Sequence, residues 1–187
     1  MTKVQVTDQV SLSVPEGFHI MDEDEIKTTF PNQTCLPMWV MKDPERHIMV
    51  TLSWKKAMML AAMLVGAKDM AVKLKKQYVK RTRGLAYNYQ INEVRPISIG
   101  HEEGYGFDMT YEVQGIHTCA ETACVKHKSF FCYVSVYYRE SMKEESLKTI
   151  QEIYQSFEFK GSAPVSRKKK RVMLIERSAY GFCHAPV

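Results

Sequence analysis

The residues best suited to chemistry in this 187-residue chain are His117-x-Cys119-x4-Cys124-x2-His127. Two thiolates and two imidazoles are the ligand set that a structural zinc takes, although zinc-binding cysteines usually stand two to four residues apart on a tight turn. Here the spacing argues against that geometry. The four residues are read as flanking the tip of a hairpin, where cross-strand thiols can approach disulfide geometry under oxidation. Plain loop residues are the reading preferred over bound metal and over a Cys119–Cys124 bridge; Cys132 reads as a small core residue.

No second cluster converges on a mechanism. His101-Glu102-Glu103 lies between Gly100 and Gly104, which is turn chemistry, and Asp108 and Glu112 fall on the polar side of an alternating strand. Neither a Gly-rich phosphate loop nor a dinucleotide fingerprint is present, so no cofactor and no enzymatic activity are expected.

The elements that would carry these residues follow from periodicity. Val10, Leu12 and Val14 alternate with serines and stop at Pro15-Glu16-Gly17, a strand that pairs with Val4 and Val6. Asp22 to Glu25 is an acidic stretch, read as a solvated face, with Asp22 as the cap of a brief helix as the alternative. Met38–Met41 and Ile48–Trp54 form an antiparallel pair around Asp43-Pro44-Glu45-Arg46, with Ile48, Val50, Leu52 and Trp54 on one face. Between Ala57 and Arg83 the composition turns to helix formers interrupted at Gly66, which predicts two helical pieces. The second sets Met70, Leu74 and Tyr78 on one side and crowds lysines and arginines on the rest.

Tyr89 and Ile91, then Ile97 and Ile99, read as strands, with Pro96 marking an edge or bulge. Tyr105, Phe107, Met109, Tyr111 and Val113 alternate with polar residues, and the partner of that strand is taken to be Phe130–Tyr138, covered on both faces and therefore central. Ser141-Met142-Lys143-Glu144 is a capping box that predicts a helix with Leu147, Ile150, Ile153, Tyr154 and Phe157 as its apolar stripe. Gly161-Ser162-Ala163-Pro164 then closes a domain over 1–160 and leaves a basic tail over 161–187 that is extended or poorly ordered. The fold class is α+β: an antiparallel sheet of about six to seven strands covered by helices.

Charge narrows the partners. The net charge of +5 belongs to the tail, which has six basic residues and one acid, including Arg167-Lys168-Lys169-Lys170-Arg171. The body is neutral, so a nucleic acid is not an expected partner. For the tail, the solvated reading is preferred over an anchor on an acidic surface or anionic membrane and over a nuclear-import-like cluster. No apolar run reaches bilayer length, the N-terminus lacks a signal peptide's apolar stretch, and five cysteines without such a signal read as reduced thiols. A cytoplasmic protein is expected.

Two features at the ends of the domain, Val14-Pro15-Glu16-Gly17-Phe18 after the first hairpin and Ser156-Phe157-Glu158-Phe159 after the last helix, together with this order of elements, resemble the PsbP-like superfamily. That superfamily takes in PsbP itself, the Ran-binding Mog protein and bacterial DcrB-like proteins. The resemblance spans about residues 5 to 159 and implies an antiparallel sheet covered by helices and a habit of binding other proteins, with no shared chemistry. The residues expected to bind are Lys73, Lys76, Lys80 and Arg81 on the basic helix and Tyr133 and Tyr137 on an aromatic sheet surface near an exposed edge. The expected partner is a protein, a second copy of the chain included.

Overall fold

A computed structural model describes residues 1–31, 36–56, 64–85 and 87–160. Its centre is an eight-stranded antiparallel sheet in the order β3-β4-β5-β10-β9-β8-β6, with β7 also paired to β8. The strands are β3 (His19–Ile20), β4 (Trp39–Asp43), β5 (Ile48–Lys56), β6 (Gln90–Ile91), β7 (Arg95–Ile99), β8 (Glu102–Val113), β9 (Ile116–His127) and β10 (Phe130–Arg139). A second sheet, β1-β2-β11, joins β1 (Thr2–Gln5) and β2 (Val10–Val14) to β11 (Glu158–Phe159). The α+β class stands. The large sheet exceeds the expected width because it includes β9 and two strands of only two residues.

Strand β9 corrects the expected pairing. Phe130–Tyr138 does not lie beside Tyr105–Val113; β9 runs between them, with Phe107 opposite Thr122 and Val134 opposite Ala123. Strand β10 is nonetheless central, flanked by β5 and β9. Its even-numbered side chains Phe130, Cys132, Val134 and Val136 enter one core with Ile48, Val50 and Leu52. The odd-numbered Phe131, Tyr133 and Tyr137 enter a second core on the other face.

Each face has its own cover. The first is closed by β2, through Val10, Leu12 and Val14, and by α3 (Lys143–Gln155). The second is closed by α2 (Ala67–Thr82), whose Met70, Ala71, Leu74 and Tyr78 lie against Phe107, Met109 and Tyr111. Helix α1 (Glu23–Thr29) adds a smaller cluster of Met21, Ile26, Phe30 and Val40. The expected first helical piece falls mostly on 57–63 and the basic tail on 161–187, both outside the described residues.

The two helix starts exchange roles relative to expectation. Asp22 forms a capping box: its carboxylate accepts from the Glu25 N–H at 2.8 Å while Glu25 accepts from the Asp22 N–H at 3.0 Å. Ser141 forms none, because the chain leaves β10 through a 3-10 turn over Glu140–Met142 and α3 begins after Met142 with no side-chain cap. A capping side chain needs an extended cap residue, and Ser141 sits inside the turn. The expected stripe holds for Ile150, Ile153, Tyr154 and Phe157, all buried, with Ser146 and Thr149 beside them; only Leu147, about 100° round the helix from Ser146, is exposed.

Candidate functional site

The basic helix is where the sequence placed it. On α2, Lys73, Lys76 and Lys80 are exposed at positions i, i+3 and i+7, which align them as one ridge opposite the buried Met70, Leu74 and Tyr78. Like charges at these spacings oppose an isolated helix by a few tenths of a kcal/mol per pair, so burial of the apolar side holds the ridge in register. Among the described residues, neither Lys76 nor Lys80 has a carboxylate within 4.0 Å. The flanks of the helix are engaged differently. Lys75 pairs with Glu93 at 2.6 Å, Lys68 lies 5.7 Å from the centre of the Tyr105 ring, and Arg81 is half-buried. The one acid of α2, Asp69, accepts from the Gly66 N–H at 2.9 Å at the helix start.

The aromatic surface is not a surface. Tyr133 and Tyr137 are 4% and 5% exposed, and Tyr138 on the other face is 8% exposed, because β10 lies mid-sheet rather than near an edge. Only α2's outer side keeps the expected exposure. Under the helix the aromatics pack on one another: Tyr78 meets Phe107 edge-on at 5.6 Å and Tyr89 stacks on Tyr111 at 4.9 Å. Burial pushes the Tyr89 phenol up to about 12 and the Tyr111 phenol well above its ordinary value.

The His/Cys set is likewise dispersed. His117, Cys119, Cys124 and His127 all lie on β9, so the first and last stand about 33 Å apart along the strand at roughly 3.3 Å per residue. They do not flank a hairpin tip. Cys119 enters the core on the α3 side and Cys124 the core on the α2 side, which places the thiols on opposite faces of the sheet and rules out a bridge between them. His117 is exposed and 3.9 Å from Glu112, whereas His127 is held by Glu102 at 2.6 Å and stacked on Phe159 at 5.7 Å. Among the described residues, no three His, Cys, Asp or Glu side chains converge as metal ligands.

Burial raises the thiols of Cys119 and Cys124 and pushes Cys132 up to about 12, which disfavours the reactive thiolate. Cys119, Cys124 and Cys132 are therefore expected to resist a thiol-reactive dye in the native chain and to react once denaturant is added. Rapid labelling of any of the three under native conditions, read by peptide mass mapping, would contradict this geometry.

One polar cluster escaped the sequence. Asp108 on β8 lies directly opposite Glu121 on β9, a like-charge pairing that costs stability unless a cation intervenes. Arg95 of β7 supplies it, contacting both carboxylates, and Asn92 donates to Asp108 at 2.6 Å. The buried Tyr154 hydroxyl of α3 donates to Glu121 at 2.9 Å. Burial, then the Glu121 charge, pushes that phenol well above its ordinary value. The arrangement fastens α3 to three strands. Asp108 keeps the solvent exposure expected of it, at 39%; what the sequence does not show is Glu121 opposite it on β9.

No family model and no curated protein matches the sequence. Solved structures do. The chain is similar to cyanobacterial PsbP (CyanoP) from Synechocystis, with a TM-score of 0.56 at 13% identity over 82% of this chain and 88% of that one. It is also similar to LpqN of Mycobacterium tuberculosis, a protein involved in cell envelope biogenesis, with a TM-score of 0.53 at 10% identity over 81% and 83%. A Bacteroides thetaiotaomicron protein gives 0.50 at 9% identity over 82% of this chain and 46% of that one. The fold is PsbP-like.

Proposed function

We propose that the chain is a non-catalytic protein-binding module, adaptor-like in role, and that the outer ridge of α2 is its contact surface for a partner with an acidic face. The observation that carries this reading is the row Lys73, Lys76 and Lys80, exposed on a helix whose opposite side is locked into the core. A rigid row of cations steers an acidic partner toward one orientation and fixes its register, contributions that fall with salt. Over residues 1–160 the acids equal the bases, so the ridge is a local feature and not part of a uniformly basic surface. A cytoplasmic setting belongs to this reading. One domain over 1–160 is part of the same reading.

The test compares the full chain with Lys73→Glu/Lys76→Glu/Lys80→Glu as bait in lysate of the native cell. The wild type is expected to retain a stoichiometric acidic partner, with affinity for that purified partner at least about tenfold higher than the variant's and weakened by raised salt. Equal capture by the two baits, or no stoichiometric partner for the wild type, would overturn the reading. The substitutions are on exposed positions, so unchanged circular dichroism should accompany the loss.

A further inference from the structure

Where the turn between β4 and β5 meets the turn between β8 and β9, at one end of the large sheet, a cleft of about 280 Å3 opens. It lies away from the α2 ridge and the Arg95 cluster, and its volume is near the lower end of small-molecule sites, which run from roughly 300 to 1,000 Å3. Met49, Tyr111, Val113, Ile116 and Tyr137 give it an apolar, aromatic lining. Thioether and ring surfaces of this kind suit a flat apolar body.

Polar groups at the cleft sort into those already committed and those at the rim. The Tyr111 hydroxyl is matched by Thr118 and the Tyr138 hydroxyl by Cys119. Asp43, the one carboxylate of the lining, accepts from the Arg46 guanidinium at 2.5 Å and from the backbone N–H groups of Glu45 and Arg46 at 3.0 and 2.9 Å. The other charged groups are basic: Lys42, which shares Glu25 at 3.6 Å, and Arg139, which among the described residues has no carboxylate within 4.0 Å. His47 stands with them at the rim.

The backbone turns sharply at two places on the cleft's rim. His47 and Gln114 both line the cleft and both adopt a φ of 52°, a left-handed conformation that glycine or asparagine takes at lower cost. Gln114 precedes Gly115 at φ 78°, so the β8–β9 turn has two positive φ angles and a long polar side chain at its first position. Both turns present a hydrogen-bonding side chain to one opening.

We infer that this cleft binds a small aromatic monocarboxylate, with its ring among Met49, Val113 and Ile116, above the buried edges of Tyr111 and Tyr137, and its carboxylate on Arg139. A guanidinium takes a carboxylate through two parallel N–H bonds, and a neutral group of the same shape forfeits them. This binding is separate from the α2 ridge and does not depend on it.

The test is calorimetric titration of the full chain with 3-phenylpropionate and with the neutral 3-phenylpropanamide. Saturable one-to-one binding of the acid is expected, at least tenfold tighter than the amide. Arg139→Gln should bring the acid down to the amide's affinity, and Ile116→Trp should weaken both by tenfold or more. Ile116 is 43% exposed, so the larger ring fills the cleft without entering the core. The triple lysine variant of α2 should bind the acid as the wild type does, which separates failure of this site from failure of the ridge. No saturable binding at millimolar acid, equal affinity for acid and amide, or indifference to both cleft substitutions would overturn the assignment.

Discussion

Gly100→Ala is expected to lower the stability of the domain by about 3 kcal/mol or more, a fall in Tm of roughly 6–12 °C for a domain of this size. Two effects add. Gly100 holds φ +59° in the turn from β7 to β8, where any side chain costs about 1–2 kcal/mol. A Cβ there would also stand only 2.2 Å from the Phe157 carbonyl oxygen, a backbone atom with little room to yield. The Gly100 N–H donates to the Tyr154 carbonyl at 2.7 Å, so the turn cannot swing away without breaking the tie to the end of α3. Gly115→Ala is the matched comparison. It too has a positive φ, but a Cβ meets nothing within 4 Å, and its cost should stay near 1 kcal/mol. Thermal melts of the two variants decide the point: an equal loss would show that the close approach to Phe157 carries no weight.

The second large effect is expected at Phe157 itself. Its ring is 1% exposed, in the core shared by β2, β10 and α3, and lies 6.2 Å from Phe159, which in turn stacks on His127. Phe157→Ala should cost about 3–5 kcal/mol, a large share of a typical domain's total. Phe157→Leu, which keeps most of the volume, should cost far less. Urea unfolding that places the two variants together would sink the packing account. Because Phe157 and Gly100 touch, the double variant Gly100→Ala/Phe157→Ala is expected to lose less than the sum of the singles.

How much of this was legible depended on whether an element had one face in water. Strand β8 announces itself by alternation and α2 by Met70, Leu74 and Tyr78 at spacing four, because each has a dry side and a wetter side, while the β4–β5 hairpin, dry on both faces in its middle, is marked by its turn Asp43-Pro44-Glu45-Arg46. Strand β9 has no such contrast along its middle. Its Cys119, Ala120, Ala123, Cys124 and Val125 are all buried, with neighbours on both faces of the sheet, so small residues recur without a period. Without a period to mark the strand, its histidines and cysteines read in the sequence as flanking a hairpin tip, whereas they are spread along β9. The loss propagates to β10: without β9 beside it, Tyr133 and Tyr137 fall near an edge in the sequence reading, whereas the structure places them mid-sheet.

Of the candidate residues, those on α2 were legible because a helical face is a local property of one segment. The cleft was not, since Met49, Tyr111 and Tyr137 come from three strands and meet only through register. Local conformational signals misled in the other direction at Ser141. A capping sequence is a preference worth about 1 kcal/mol, and the geometry with which β10 delivers the chain outweighed it.

The small sheet has a mechanical consequence. Its outer strands, β1 and β11, are the first and last of the described chain, and both are paired only to β2. Exposed contacts lock it further: Lys3 to Glu158 at 2.6 Å and Lys160 to Gln5 at 2.8 Å. A pulling force applied at these two strands would load three short strands first, with the eight-stranded sheet sheltered behind them. Tension at the two ends would therefore fall on the β1–β2 and β11–β2 pairings before it reached the strands that carry Phe107 and Val134.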